Sequence, residues 1–330
     1  MKLLSIDGGG IKALYSAIVI DYIEQHYDVR IIDHIDVISG TSAGGIIALG
    51  LAAGRRPREI VDFLLEHGPL IFPPNPLTRI LRTLWSVCFS MYGNSELEKA
   101  CKTFFGEDLT IEDIADRLKG TGNKLCVCIP SVNYLTGKAK VFKTPHHKNL
   151  HLDKDYFVWQ VALATAAAPY YLPVAKITKG NVNEYYVDGG LWGNNPSVVA
   201  LTEALTYSAG DNTPSSFDLL SIGNIPDGLG KTPHILRRGL SLWNKNLVLL
   251  PLGCQSEATH NMIKLLFEKN RWNYIRIEHS NFNVPNVGFD KTNKKSLNLL
   301  HQLAKDDISK FTSTGSLGDN KLRTFFNIGR

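Results

Sequence analysis

Apolar residues follow two rhythms along this chain. Short apolar or alternating runs with strand character occupy Lys2–Ile6, Ile35–Ile38 (interrupted by Asp36), Lys124–Ile129, Ala139–Phe142 and Phe217–Ile222. The third and fourth flank Asn133-Tyr134-Leu135-Thr136-Gly137 and predict a hairpin. Between these runs the period becomes helical. Leu14, Ala17, Ile18, Tyr22 and Ile23 share one face of a helix expected from Ile11 to Tyr27, and Ile46-Ile47-Ala48-Leu49 begins another. Pro57 opens a helix over Arg55–His67. Ser95-x-x-Glu98 reads as a capping box for a helix to about Phe105, and Thr110-x-x-Asp113 as a second start. Asp155 is placed to cap a helix over Tyr156–Ala168. Further on, His234–Leu249, Glu257–Asn270 and Lys294–Phe311 read as helices and Trp272–Glu278 as an edge strand. One piece has two readings. Ile80–Tyr92 is apolar and aromatic with Arg79 and Arg82 beside it, which suits a lid or a helix meeting a bilayer, and equally an ordinary packed helix.

Composition narrows the class. The 330 residues, 44% hydrophobic and 20% charged, suit one large α/β domain or a domain with an appendage. No apolar run is long enough to span a bilayer. Asp7 cuts the first apolar stretch short, unlike a signal peptide, so a cytoplasmic protein is expected. Five cysteines (Cys88, Cys101, Cys126, Cys128, Cys254) lack framework spacing, and Cys126-Val127-Cys128 follows strand alternation; reduced thiols are expected. His146-His147 has no acidic or cysteine partner at ligand spacing, so the pair reads as surface loop and no metal is expected. The net charge of +5 is uneven: residues 231–330 hold 16 Lys/Arg against 7 Asp/Glu, a net of +9. That basic third reads first as a solvated face, and otherwise as a surface for anionic membrane or an anionic ligand.

Three stretches carry candidate chemistry. In Ile38-Ser39-Gly40-Thr41-Ser42-Ala43-Gly44-Gly45, a serine stands at G-x-S-x-G spacing between an apolar strand and an apolar helix. That geometry strains the serine backbone and puts its hydroxyl at a helix N-terminus, with Gly40 and Gly44 allowing strand and helix to approach. The chain opens with Lys2-Leu3-Leu4-Ser5-Ile6-Asp7-Gly8-Gly9-Gly10-Ile11-Lys12, a strand leading into glycines whose amides suit an oxyanion. Tyr185-Tyr186-Val187-Asp188-Gly189-Gly190 is again a strand ending in an acid and two glycines. Gly8-x-Gly10-x-x-Ala13 also fits a loose dinucleotide fingerprint, but Asp7 stands where a pyrophosphate would approach, and the fingerprint leaves Ser42 and Asp188 unexplained.

Together the three stretches resemble the patatin-like phospholipase family over roughly residues 1–225. The resemblance implies a three-layer α/β/α sandwich with a central, mostly parallel sheet. Residues 226–330 are then expected as a helical extension packed on the same domain. It implies Ser42 as nucleophile, Asp188 as the base of a Ser–Asp dyad, and Gly8, Gly9 and Gly10 as the oxyanion hole. Asp7, Lys12, Gly40, Gly44, Gly189 and Gly190 support these motifs. Lys12 departs from the arginine common there, keeping the charge without the bidentate fork. Asp188 is expected at the same sheet edge as Ser42 if their strands are parallel. Four histidines follow it (His234, His260, His279, His301), so the residues alone leave a triad open. A weak base such as aspartate must be shielded to serve, so a raised Asp188 pKa is expected. Thr165 and Ala166 stand where many members carry serine, and no chemical role is assigned to them.

The implied activity is phospholipase A cleavage of membrane glycerophospholipids, with no metal or other cofactor and no nucleic-acid partner. Compact bacterial members of the family include antiphage effectors switched on by a cyclic di- or trinucleotide. Size and the basic C-terminal third fit that subgroup, with peripheral association at the inner face of the membrane when active. Homo-oligomerisation stays open. Two other readings compete: a non-catalytic lipid or nucleotide binder on the same fold, and an esterase for small soluble esters.

Overall fold

The structure is a computed structural model that describes residues 1–86, 88–120, 125–207, 216–227, 236, 239–282 and 284–328. The first part of the chain forms β1 (Lys2–Ile6), α1 (Ala13–Tyr27), β2 (Val37–Gly40), α2 (Ala43–Ala52) and α3 (Pro57–Ile71). Then come α4 (Pro76–Trp85), α5 (Ser95–Phe105), α6 (Ile111–Gly120) and the hairpin of β3 (Cys126–Asn133) and β4 (Lys138–Lys143). Next are α7 (Val158–Ala166), β5 (Ala175–Lys179), β6 (Val182–Asp188), α8 (Gly190–Gly193), α9 (Ser197–Tyr207) and β7 (Asp218–Ile222). The final part holds α10 (Leu240–Trp243), α11 (Asn246–Asn270), β8 (Asn273–Ile277), α12 (Lys294–Phe311) and α13 (Leu317–Phe326).

The strands form one sheet in the order β5-β6-β3-β2-β1-β7-β8, with β4 paired to β3. β3, β2, β1, β7 and β8 are mutually parallel. Their side chains alternate between two apolar layers, as the pleat requires. Leu3, Val37, Cys126, Cys128 and Leu219 pack beneath α9 and α11 with Phe217, Ile263 and Phe267. Leu4, Ile6, Ile38, Val127, Leu220 and Ile275 face the larger core under α1, α2, α3, α7 and α12. Sheet with helices on both faces is the three-layer α/β/α sandwich. The C-terminal third is not wholly helical: β8 extends the sheet beside β7 in the tract read as an edge strand.

Some local readings change. α5 is preceded by Asn94, whose backbone carbonyl accepts the Glu98 N–H (2.8 Å); Ser95 is already helical, so no capping box forms there. At α6 the box does form: Thr110 Oγ1 accepts the Asp113 N–H (3.1 Å) and Asp113 accepts the Thr110 N–H (2.8 Å). α7 starts two residues later than expected, with Phe157 and not Asp155 at its N-cap. His146 is not a surface residue. It donates to buried Glu203 (2.8 Å), which Lys143 also reaches (2.5 Å), closing a charged cluster between β4 and α9. The N-terminal part of the helix expected over His234–Leu249 lies outside the described residues. Its remainder divides into α10 and the start of α11.

Candidate active site

β2 ends at Gly40 and α2 begins at Ala43, so two residues make the whole turn. Ser42 takes φ 55° and ψ −129°, a conformation that costs on the order of 1–3 kcal/mol for a residue with a side chain. The close approach explains the flanking glycines. A Cβ on Gly40 would lie 2.2 Å from the Gly44 carbonyl oxygen, and one on Gly44 would lie 2.5 Å from the carbonyl oxygens of Ile6 and Asp7. Ser42 is held on its other side by Thr165 of α7. Thr165 Oγ1 accepts the Ser42 N–H (2.9 Å) and donates to the Pro130 carbonyl (2.6 Å), and the Thr165 carbonyl accepts the Gly189 N–H (3.3 Å). Thr165, passed over in the sequence, therefore braces both the serine elbow and the Asp-Gly-Gly turn.

Asp188 reaches the same place by an unexpected route, because β6 runs antiparallel to β3. Cys128 pairs with both β2 and β4, and Ser131 with both β4 and β6. β2 and β6 therefore share one edge of β3. β6 travels toward the end of β2 and stops with Asp188 opposite Ser131, just past the elbow. The Asp188 carboxylate accepts the Gly190 N–H (2.7 Å), and the Ser42 side chain stands close enough to stabilise its charged form. Burial pushes its pKa up to about 7 against the opposing pull of those two groups. No histidine supplies a third member among the described residues: His260 bonds Tyr274 and His279 bonds Asp307, while His301 is not among the groups acting on Asp188. His234 lies outside the described residues.

The glycine loop faces this pair. Of its three amides, that of Gly8 is already taken, donating to the Asn194 carbonyl (3.0 Å), which removes Gly8 from the expected oxyanion donors. The N–H groups of Gly9, Gly10 and Ala43 have no partner among the described residues. Gly10 has φ 57°, and a Cβ there would lie 2.4 Å from the Phe289 carbonyl oxygen, so Phe289 fits only against glycine. Below the loop, Lys12 is buried and donates to the Ile225 carbonyl (2.8 Å) and to Asp227 (2.6 Å). Its single charge serves to brace the 225–227 turn. Asp7 is buried in a two-pronged ion pair with Arg276 of β8, at 2.9 and 2.6 Å.

A narrow apolar pocket opens beside Ser42, walled by Ile11, Ile46, Phe63, Ile71, Leu172 and Phe289. Its walls suit a hydrocarbon chain. Among the described residues, no group of three or more His, Cys, Asp or Glu could hold a metal ion.

A strained serine beside a shielded carboxylate, open to an apolar cavity on an α/β/α frame, defines the class as an α/β acyl hydrolase. The chain belongs to the patatin-like phospholipase family, whose model matches residues 4–201. It is similar to proteins named cGAMP-activated phospholipase: 30% identical to one from Escherichia coli (99% of this chain, 92% of the relative) and 35% identical to one from Pseudomonas aeruginosa (84% and 77%). It is also 25% identical to Patatin-like protein 2 of Arabidopsis thaliana, over 98% of this chain and 88% of that one.

Proposed function

We propose that this ester hydrolase is a phospholipase A working through Ser42 and Asp188, held inactive until a cyclic dinucleotide binds. The observation that carries the reading is the strained Ser42 on the apolar cavity with the buried Asp188 carboxylate beside it, whose pKa is raised to about 7. In this reading Asp188 accepts the Ser42 proton as Oγ attacks the ester carbonyl. The Gly9, Gly10 and Ala43 amides stabilise the oxyanion, each contributing roughly 3 kcal/mol. Asp188 returns the proton to the departing lysolipid oxygen, leaving an acyl-serine. Water, deprotonated by Asp188, then releases the fatty acid and restores Ser42. The acyl chain occupies the cavity and gains about 0.8 kcal/mol per buried methylene.

Activation by cGAMP is carried over from the names of the bacterial relatives, which match most of this chain. Peripheral membrane contact is assigned to α4 and the turn that follows it. Leu81, Trp85 and Phe89 are exposed, the last two rings stack at 4.6 Å, and no helix among the described residues is long and apolar enough to cross a membrane. The bilayer-meeting reading thus applies to the exposed residues up to Phe89, while Met91 and Tyr92 pack in the core. The test is fatty-acid release from phospholipid vesicles by the wild type and Ser42→Ala, with and without cGAMP. Equal release by both proteins would reject Ser42 as the nucleophile.

A further inference from the structure

A second, open cleft shares Phe289 with the acyl cavity. One wall is the Ile225–Asp227 turn, another the segment from Val284 to Lys291, and the start of α11 closes it with Lys245 and Asn246. We propose that this cleft is the cyclic-dinucleotide site and that its ligand acts on the glycine loop through the cleft walls. The inference rests on the cGAMP-activated reading above and adds where the ligand sits and how it is felt.

The lining chemistry suits a phosphodiester carrying bases. Lys245 and Lys291 supply two cations, while the charge of Asp227 is already matched by Lys12. Asn246 and Asn286 offer amides for base edges, and Pro226, Leu249 and Val284 offer apolar surface for base faces. The neighbouring pocket against the glycine loop is a poorer candidate, because three carboxylates, Asp7, Glu257 and Glu278, line it.

Both cleft walls are tied to consecutive residues of the glycine turn. Phe289 accepts the Ile11 N–H through its carbonyl (2.9 Å), and Ile225 and Asp227 hold the Lys12 ammonium. Gly10, immediately before them, carries one of the unpartnered amides that face Ser42's side of the loop. The Phe289 ring also walls the acyl cavity and stacks on Tyr171 at 4.4 Å. Asp290 and Thr292 bond Tyr92 and the Phe72 carbonyl, so the same segment frames the cavity from behind. A ligand that draws the two walls together therefore shifts the oxyanion donors and the cavity wall in one movement.

The test is calorimetric titration of the full-length protein with cGAMP, set against Lys245→Glu/Lys291→Glu and the milder Lys245→Ala/Lys291→Ala. Thermal melting of each unliganded variant serves as the check on folding. The wild type is expected to bind, and the charge-reversed variant to bind roughly a hundredfold more weakly, as loss of two charge-assisted contacts implies. Wild-type binding that both folded variants retain would overturn the site alone. Absence of wild-type binding would overturn the activation reading as well. Glycerophosphoethanolamine, a soluble lipid headgroup with the same phosphodiester, is the second ligand; binding as tight as that of cGAMP would overturn the nucleotide assignment. Hydrogen exchange at the Ile11 amide reads the relay: it is expected to change on cGAMP binding, and an unchanged rate in the bound protein would overturn the coupling.

Discussion

In the proposed dyad the unprotonated form of Asp188 is the base, so kcat/KM should rise with pH through about 7 and level off above it. A profile with its midpoint near 4 would contradict the shielded dyad. The stability effect has the opposite direction. The unfolded carboxylate titrates near 4 and the folded one at about 7, so the folded state binds the extra proton between those values. Stability therefore falls as pH rises from about 4 to about 7, and the full cost remains above that range. Asp188→Asn should be inactive yet more stable than wild type at pH ~8, by on the order of 3 kcal/mol, with the gain fading toward pH ~4. Denaturant titrations at the two pH values check this. Thr165→Val should lower kcat by roughly 10–100-fold with KM nearly unchanged, because the Ser42 amide loses its acceptor, and Thr165→Ser should restore most of the rate. The serine, the aspartate and the glycines could be nominated from sequence because each sits in a short local motif. Thr165 escaped because its role depends on Ser42, which is 123 positions away. Asn194 was likewise invisible as the group that removes Gly8 from the donor set.

At the scale of elements, the strands and most helices were legible from periodicity, while directions and caps were not. α12 spans Lys294–Phe311 as the apolar spacing predicts, and the alternating tract after Trp272 became β8. The antiparallel course of β6 was not readable, because its register is set by pairing with β3 across some fifty residues of intervening chain. Asn94 displaced Ser95 as a cap because the two readings differ by one residue, a boundary that spacing alone does not resolve. At Ile80–Tyr92 the apolar residues divide, with Met91 and Tyr92 buried and three others exposed. Trp85 and Phe89 are 60% and 59% exposed, and Leu81 is 67% exposed. Replacing Trp85 and Phe89 by alanine should reduce vesicle hydrolysis by roughly 10–100-fold, the loss of two interfacial aromatics, and leave hydrolysis of a short soluble ester within about twofold. Equal losses on both substrates would return α4 to an ordinary packing role.

Across the whole molecule, the two ends of the chain meet at the site. Arg276 on the outermost strand pairs with Asp7 at the mouth of the glycine loop, and Phe289 supports Gly10 and Ile11 from the same C-terminal region. The basic excess after residue 230 is thus not only a solvated face, since Arg276 is buried and structural. Arg276→Ala leaves the Asp7 carboxylate buried without its partner and should cost about 3–5 kcal/mol by denaturant titration, whereas Asp7→Asn/Arg276→Met should recover part of that loss. The central claim is that Ser42 and Asp188 cleave phospholipid only when the nucleotide is bound. It is tested most directly by fatty-acid release from mixed phospholipid vesicles by wild type, Ser42→Ala and Asp188→Asn, each with and without cGAMP. The account predicts release by the wild type with cGAMP and background levels in every other arm. Release by Ser42→Ala equal to that of the wild type, or no release by the wild type under either condition, would contradict it.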